Sequence, residues 1–208
     1  AALHESVKAH LIADVPVGAF LSGGLDSSAV VAMMAGLRSD PVHTFSIGFN
    51  EEEYSELPFA CEVAEHFGCL HTAEIVTPEA ARDLDDLVFL YDEPFADASA
   101  LPTMAVSRLA AQHVKVVLSG DGGDELFGGY SRDTHDLREA KLRSAVPAIV
   151  RSLLLKPMAA IWPKADWLPR PLRLKTLLQN LSLNPAEAYA NTVSTCRESV
   201  RGRLLSRD

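Results

Sequence analysis

Two short stretches carry residue types that can do chemistry. Ser22-Gly23-Gly24-Leu25-Asp26-Ser27-Ser28 sets two adjacent glycines among three hydroxyls and a carboxylate. Ser119-Gly120-Asp121-Gly122-Gly123-Asp124-Glu125-Leu126-Phe127-Gly128-Gly129-Tyr130 sets three carboxylates among glycines. Paired glycines let backbone approach a ligand closely, and the unpaired N–H groups at a helix start attract anions, so the first stretch suits a phosphate. It is not the G-x-x-x-x-G-K-[ST] loop, because no Lys follows Gly24. Asp26 stands there instead. A carboxylate beside a phosphate cradle makes sense when a divalent metal lies between them, since Mg2+ is usually held by one or two carboxylates plus phosphate oxygens. The plainer alternative is a glycine turn with an Asp or Ser capping the helix. The second stretch repeats the logic, with a turn-rich loop capped by Asp as its own plain alternative. An EF-hand loop needs Asp or Asn at its third position, where this chain has Gly123.

The flanking segments must hold these stretches in place. Val15–Leu21 is an apolar run that predicts a buried strand, and Asp26–Leu37 is almost free of charge after its first turn, which predicts a helix covered on most faces. Val42–Phe49, Cys69–Val76 and Val114–Leu118 predict further strands, and Leu3–Ala13, a segment from Ser55 to Gly68, a helix opening at Thr77-Pro78-Glu79, and Ser99–Gln112 predict helices between them. The Ser55 helix is expected to bury Phe59, Ala60, Val63, Ala64 and Phe67 and to stop at Gly68. Alternation at this spacing implies an α/β fold with a parallel sheet, and ligand at the carboxyl ends of its strands. Asn50–Ser55 reads as an exposed acidic turn. Tyr91-Asp92-Glu93-Pro94-Phe95-Ala96-Asp97 reads either as a solvated loop or as a lining of the site cleft. Past Ser131, Leu137–Leu155 is helical and basic, Lys156–Pro171 is broken by four prolines, and Asn184-Pro185-Ala186-Glu187 opens a further helix. Ala145–Trp162 could lie on a membrane surface or pack against protein, the latter being favoured.

The chain has 208 residues, of which 48% are hydrophobic and 23% charged, enough for a sizeable core. No uncharged apolar run reaches a membrane span. Nor does AALHESVKAH resemble a signal peptide, so the chain reads as a piece of a longer protein. Cys61, Cys69 and Cys196 show no C-x-x-C spacing, which implies neither zinc nor a disulfide framework and fits a reducing, cytoplasmic setting. The net charge of -9 argues against nucleic acid as a partner. It is unevenly spread: residues 1–131 hold five Lys and Arg against 21 Asp and Glu, and the remainder holds 14 against seven. An acidic half that binds a polyphosphate must rely on metal ions and backbone N–H groups.

SGGLDSS after an apolar strand resembles the pyrophosphate loop of the ATP pyrophosphatase family. LSGGLDSS, FSIGF, YDEPFADASALPT and LSGDGGDELFGGY, in that order, resemble the synthetase domain of glutamine-hydrolysing asparagine synthetases. YDEPFADASALPT is closer still to asparagine synthetase-like amidotransferases of surface-polysaccharide and exosortase gene clusters. The resemblance covers Leu3–Tyr130 well and the rest loosely. It implies a three-layer, doubly wound parallel sheet of the adenine nucleotide alpha hydrolase-like type, with residues 1–131 as the nucleotide-binding core and 132–208 as a basic helical part of one truncated synthetase domain. It implies ATP and Mg2+ as cofactors, adenylation of a small carboxylate acceptor (aspartate by default), and ammonia supplied by a glutaminase domain. A homodimer is a further expectation. Carried over, Ser22, Gly23, Gly24, Ser27 and Ser28 hold the departing pyrophosphate, and Asp26 and Asp124 bind Mg2+. Leu21, Ile47, Ser119 and Gly120 match positions around the adenosine, and Asp121 and Glu125 match acidic positions near acceptor and metal.

Two family parts fall outside the chain: the glutaminase domain with its N-terminal Cys, and the C-terminal stretch with an essential Lys. The competing expectation is therefore a non-catalytic nucleotide-binding module of a larger assembly. A serine hydrolase using Ser22 is poor, since G-x-S-x-G requires Gly where Phe20 stands.

Overall fold

The apolar run ahead of Ser22 becomes β1 (Val17–Phe20) in the computed structural model, which describes residues 2–51, 53, 55–77, 80–93, 95, 97–163, 167, 169 and 174–194. α1 (Ala2–His10) precedes it, and α2 (Leu25–Leu37), β2 (His43–Gly48), α3 (Leu57–His66), β3 (Leu70–Ile75), α4 (Ala80–Tyr91), α5 (Ala100–Ala111) and β4 (Val116–Leu118) follow. All pairings are parallel, and the strand order is β3-β2-β1-β4. The chain steps outward from β1 to β3 and then returns to the other side of β1. The order therefore reverses between β1 and β4, the place where open α/β sheets bind ligands.

Successive residues of a strand face opposite sides, and the sheet is covered on both. On one side Val17 and Ala19 pack with Val7 of α1, Val30, Val31 and Met34 of α2, and Ala60 and Ala64 of α3. On the other, Phe45 of β2 packs with Leu109 and Ala110 of α5 and with Val114, and Phe20 joins them. The expected α/β class with three layers is what the residues build. α2 buries Ser27, Val30, Val31 and Met34 on one face, while Leu25 is 87% exposed, so it is covered less completely than its uncharged sequence predicts. α3 ends as expected: Gly68 takes φ +62, its N–H donates to the Glu65 carbonyl (3.1 Å) and the Cys69 N–H to Ala64 (2.9 Å). That pair of bonds is the Schellman cap, which a left-handed residue allows.

Phe59 and Phe67, both expected to be buried, are exposed. Ala60 and Ala64 are buried, but Phe59, one position and about 100° round the helix, is 62% exposed. Glu52, Tyr54, Pro78, Glu79, Pro94, Ala96 and Cys196 lie outside the described residues. Cys61 and Cys69 are free thiols.

The chain divides into two compact units, Ala1–Asp124 and Glu125–Asp208, with α6 (Gly123–Phe127) spanning the division. The second unit holds α7 (Ser131–Ala145), α8 (Ala148–Val150), a π turn (Arg151–Leu155), α9 (Lys156–Ile161), α10 (Lys175–Ser182) and α11 (Pro185–Val193). The helix expected over Leu137–Leu155 breaks at Val146, which is extended (φ -100, ψ 120) because Pro147 follows it. Pro157, expected as a breaker, instead sits inside a continuing helix. The Lys156 N–H reaches back five residues to the Arg151 carbonyl, and this wide turn relieves the backbone just where Pro157 has no N–H to give. α7, α10 and α11 are joined by buried Asn180, which donates to Glu139 (2.8 Å) and Thr192 (3.2 Å) and accepts from Asn191 (2.7 Å), while its carbonyl accepts from Arg143 (3.1 Å). α11 opens with the expected capping box between Asn184 and Glu187. No single helix among the described residues is long and apolar enough to cross a membrane.

Candidate functional site

The first loop leaves the sheet under tight constraint. Leu21, fully buried, donates its N–H to the Phe45 carbonyl (3.0 Å). Gly23 then takes φ +82, and a Cβ there would stand 2.5 Å from Phe59 Cβ and 2.6 Å from the Ala60 nitrogen. Both the conformation and the close approach of α3 require glycine. Gly24 is the N-cap of α2 and no side chain caps the helix, so neither Asp26 nor a serine fills the capping role that the plainer reading allowed. The hydroxyls are drawn inward: Ser22 Oγ accepts from the Gly24 N–H (3.2 Å) and lies 2.9 Å from Ser27 Oγ, which donates to the Gly24 carbonyl (3.2 Å). Ser28 Oγ is buried without a hydrogen-bond partner among the described residues. An uncapped helix start with an unpaired buried hydroxyl is a donor-rich place for an anion.

Because β4 lies beside β1, the loop after β4 arrives against this helix start. A Cβ on Gly120 would stand 2.6 Å from the Ser27 nitrogen. A Cβ on Gly123 would stand 2.4 Å from the Asp26 carboxyl carbon and 2.7 and 2.8 Å from its oxygens. The Asp26 carboxylate thus lies over the backbone of the residue before Asp124. Two loops separated by more than ninety residues of sequence meet at one carboxylate. Ser119 Oγ donates to Asp121 (3.1 Å) and accepts from the Asp121 N–H (3.3 Å), which pins an otherwise exposed carboxylate. Among the described residues no group of three His, Cys, Asp or Glu side chains converges as a metal site. The Asp26 carboxylate beside the Gly123 backbone leaves most of a divalent ion's coordination to other ligands, which suits an ion that arrives with phosphate oxygens.

Glu125 belongs to the second unit. Tyr130 Oη donates to it (2.6 Å), and the Arg132 guanidinium stands 3.8 Å over the Tyr130 ring. The Tyr130 hydroxyl foremost, then the Glu125 backbone N–H and the Arg132 charge, hold its carboxyl below the ordinary glutamate value.

Beside the first loop lies a recess of about 220 Å³, walled by Phe20, Leu21, Ile47, Phe49, Leu57 and Val106 among others, with Ser22, Ser46, Glu56 and Thr103 as polar groups. Leu21 and Ile47, singled out from sequence, meet here. Phe49, Thr103 and Val106 were not singled out. Thr103 and Val106 are one turn apart on α5, a face that helical spacing marks as inward without showing that a cavity lies under it. The loop after α4 builds a different groove: Tyr91, Asp92, Glu93, Phe95 and Asp97 wall it with Leu84, Leu87 and Val88, and it shares no residue with the recess. Tyr91 and Phe95 stack within it at 4.2 Å.

The family model described as asparagine synthase matches residues 1–204. The chain is 36% identical over 205 residues to asparagine synthetase [glutamine-hydrolyzing] 1 of Bacillus subtilis, covering 98% of this chain and 31% of that protein. It is 42% identical over 194 residues to a putative asparagine synthetase [glutamine-hydrolyzing] of Mycobacterium tuberculosis H37Rv (91% and 28% covered). It is 39% identical over 196 residues to a putative asparagine synthetase [glutamine-hydrolyzing] 2 of Methanocaldococcus jannaschii (92% and 37%). The chain spans about a third of the length of these relatives. Among solved structures, an NH3-dependent NAD synthetase from Campylobacter jejuni overlays on 90% of this chain with a TM-score of 0.42 at 14% identity, covering 93% of that chain.

Proposed function

Because the chain belongs to the asparagine synthase family, we propose that it is the nucleotide-binding part of an enzyme that makes an amide at the expense of ATP, releasing AMP and pyrophosphate. The observation that carries this reading is the Asp26 carboxylate held against Gly123 at the uncapped start of α2. The recess, with Leu21 and Ile47 in its wall, takes the adenosine; Ser119 and Gly120 do not line it and are assigned to the adenosine by the family resemblance alone. Ser22, Gly23, Gly24, Ser27 and Ser28 offer backbone N–H and hydroxyl donors to the β- and γ-phosphates, and buried Ser28 Oγ gains a partner when they bind. An acceptor carboxylate oxygen attacks the α-phosphorus, the bond to the pyrophosphate oxygen breaks, and an acyl-adenylate forms. Ammonia then attacks the acyl carbon and AMP leaves. Aspartate is the acceptor of choice and a glutaminase domain of the full-length protein the ammonia source, by analogy with the names of the relatives.

The residues present fit Mg2+. Asp26 and Asp124 would hold it, and it would neutralise charge that develops on the leaving pyrophosphate. Residues 9–37, which flank the first loop, hold no Lys or Arg. Asp121, whose carboxylate Ser119 pins, and Glu125, whose carboxylate Tyr130 holds, are the acidic residues that the family resemblance assigns to catalysis.

The test is the product pair. Full-length protein with ATP, Mg2+, aspartate and ammonium should yield AMP and pyrophosphate in equal amounts, and Asp26→Asn should abolish both. ADP and phosphate would contradict the reaction. Nucleotide binding with no pyrophosphate release for any carboxylate would leave only a binding module.

A further inference from the structure

Ser46 is a polar residue in the middle of a strand, 4% exposed, and the amide-forming reaction gives it no task. Its hydroxyl donates to the Leu21 carbonyl. This bond stands where the β1–β2 ladder would otherwise continue. The paired residues are Ala19 with Thr44 and Phe20 with Phe45, and the Leu21 N–H to Phe45 carbonyl bond is the last described backbone bond between the two strands. The next rung of a parallel ladder would run from the Ile47 N–H to the Leu21 carbonyl. That carbonyl is turned to Ser46 instead. By the period-two alternation of a strand, the Ile47 N–H points the same way as the Phe45 carbonyl, toward β1, and both Leu21 and Ile47 border the recess.

We infer that Ser46 is a positioning residue for base recognition: by taking the Leu21 carbonyl, its hydroxyl keeps the Ile47 N–H out of the sheet and free to donate to an acceptor on the edge of a purine. The inference rests on the recess being the nucleoside site. Adenine presents an acceptor at N1, whereas hypoxanthine carries a proton there. A donor at Ile47 therefore favours the first and opposes the second. Without the Ser46 hydroxyl the Leu21 carbonyl is left unpaired, and the Ile47 N–H is the donor next in line to satisfy it. The sheet gains one rung and the purine loses its partner.

The experiment is equilibrium binding of Mg-ATP and Mg-ITP to the full-length protein, which needs no turnover. Wild type should prefer ATP. In Ser46→Ala, ATP binding should weaken about five- to tenfold, the range of one neutral hydrogen bond, while ITP binding stays within about twofold, so that the preference collapses. Ser46→Thr, which keeps the hydroxyl, should keep the preference. A general loosening of the loop would weaken both nucleotides alike and overturn the inference, as would an unchanged ATP-to-ITP ratio in Ser46→Ala or its loss in Ser46→Thr. If wild type binds neither nucleotide, the nucleotide-site reading itself falls. If it binds ATP and only the ratio fails to respond, Ser46 alone is wrong.

Discussion

Gly123→Ala separates the stability of the fold from the grip on phosphate. Gly123 opens α6 with a negative φ, so alanine is conformationally acceptable there and, in a helix, favoured over glycine by about 0.5–1 kcal/mol. The new methyl would stand 2.4 Å from the Asp26 carboxyl carbon, when ordinary contact begins at 3.4 Å. Asp26 must therefore retreat by about 1 Å, and a misplacement of that size in a positioning group costs on the order of 100-fold in rate. In free energy that is about 2.7 kcal/mol of transition-state stabilisation. The assay is pyrophosphate release by full-length protein, paired with a thermal melt. Release should fall about 100-fold while Tm moves by no more than about 4 °C. A variant that releases pyrophosphate at the wild-type rate would refute the packing of Asp26 against the second loop as a functional contact. So would one whose activity falls only in proportion to its unfolding.

Asn184→Ala should cost about 1 kcal/mol by removing the capping box of α11, read as a lower denaturation midpoint, and Asn184→Gly only a few tenths. His71 is held below the ordinary histidine value by burial, and its Nε2 has no partner among the described residues. The unfolded chain therefore takes up the proton more readily than the folded one, and stability should drop as pH falls below about 6.5. His71→Gln should flatten that part of the stability–pH curve, and an unchanged slope would contradict it.

The strands and helices around the two loops were legible because each signal was local: apolar runs for β1 and β2, an uncharged helix for α2, Gly68 for the α3 cap, Asn184 and Glu187 for the start of α11. Less legible were features decided by tertiary packing. Phe59 reads as core by its hydrophobicity, yet the α3 start is pressed against Gly23 and has room inward only for Ala60. The break at Val146 is written in Pro147, a local signal that a long helical pattern outweighed. The π turn before Pro157 answers a backbone demand that composition does not display. Asp26 could be identified as an unusual acid beside a phosphate cradle. That it lies on Gly123 depends on β4 pairing with β1, a choice of neighbour no segment carries by itself. Ser46 lies in a strand marked by its apolar run, but nothing local marks its acceptor, 25 residues earlier.

If the two loops grip pyrophosphate through a metal held at Asp26 rather than through side-chain cations, pyrophosphate binding depends on Mg2+. That dependence is tested most directly by calorimetric titration of inorganic pyrophosphate into the full-length protein with and without Mg2+. Binding should weaken at least about 100-fold when Mg2+ is withdrawn or when Asp26 is replaced by Asn, because either change removes charge-assisted bonding between the carboxylate, the ion and the pyrophosphate oxygens. Pyrophosphate binding of equal strength in the absence of Mg2+, and indifferent to Asp26→Asn, would contradict it.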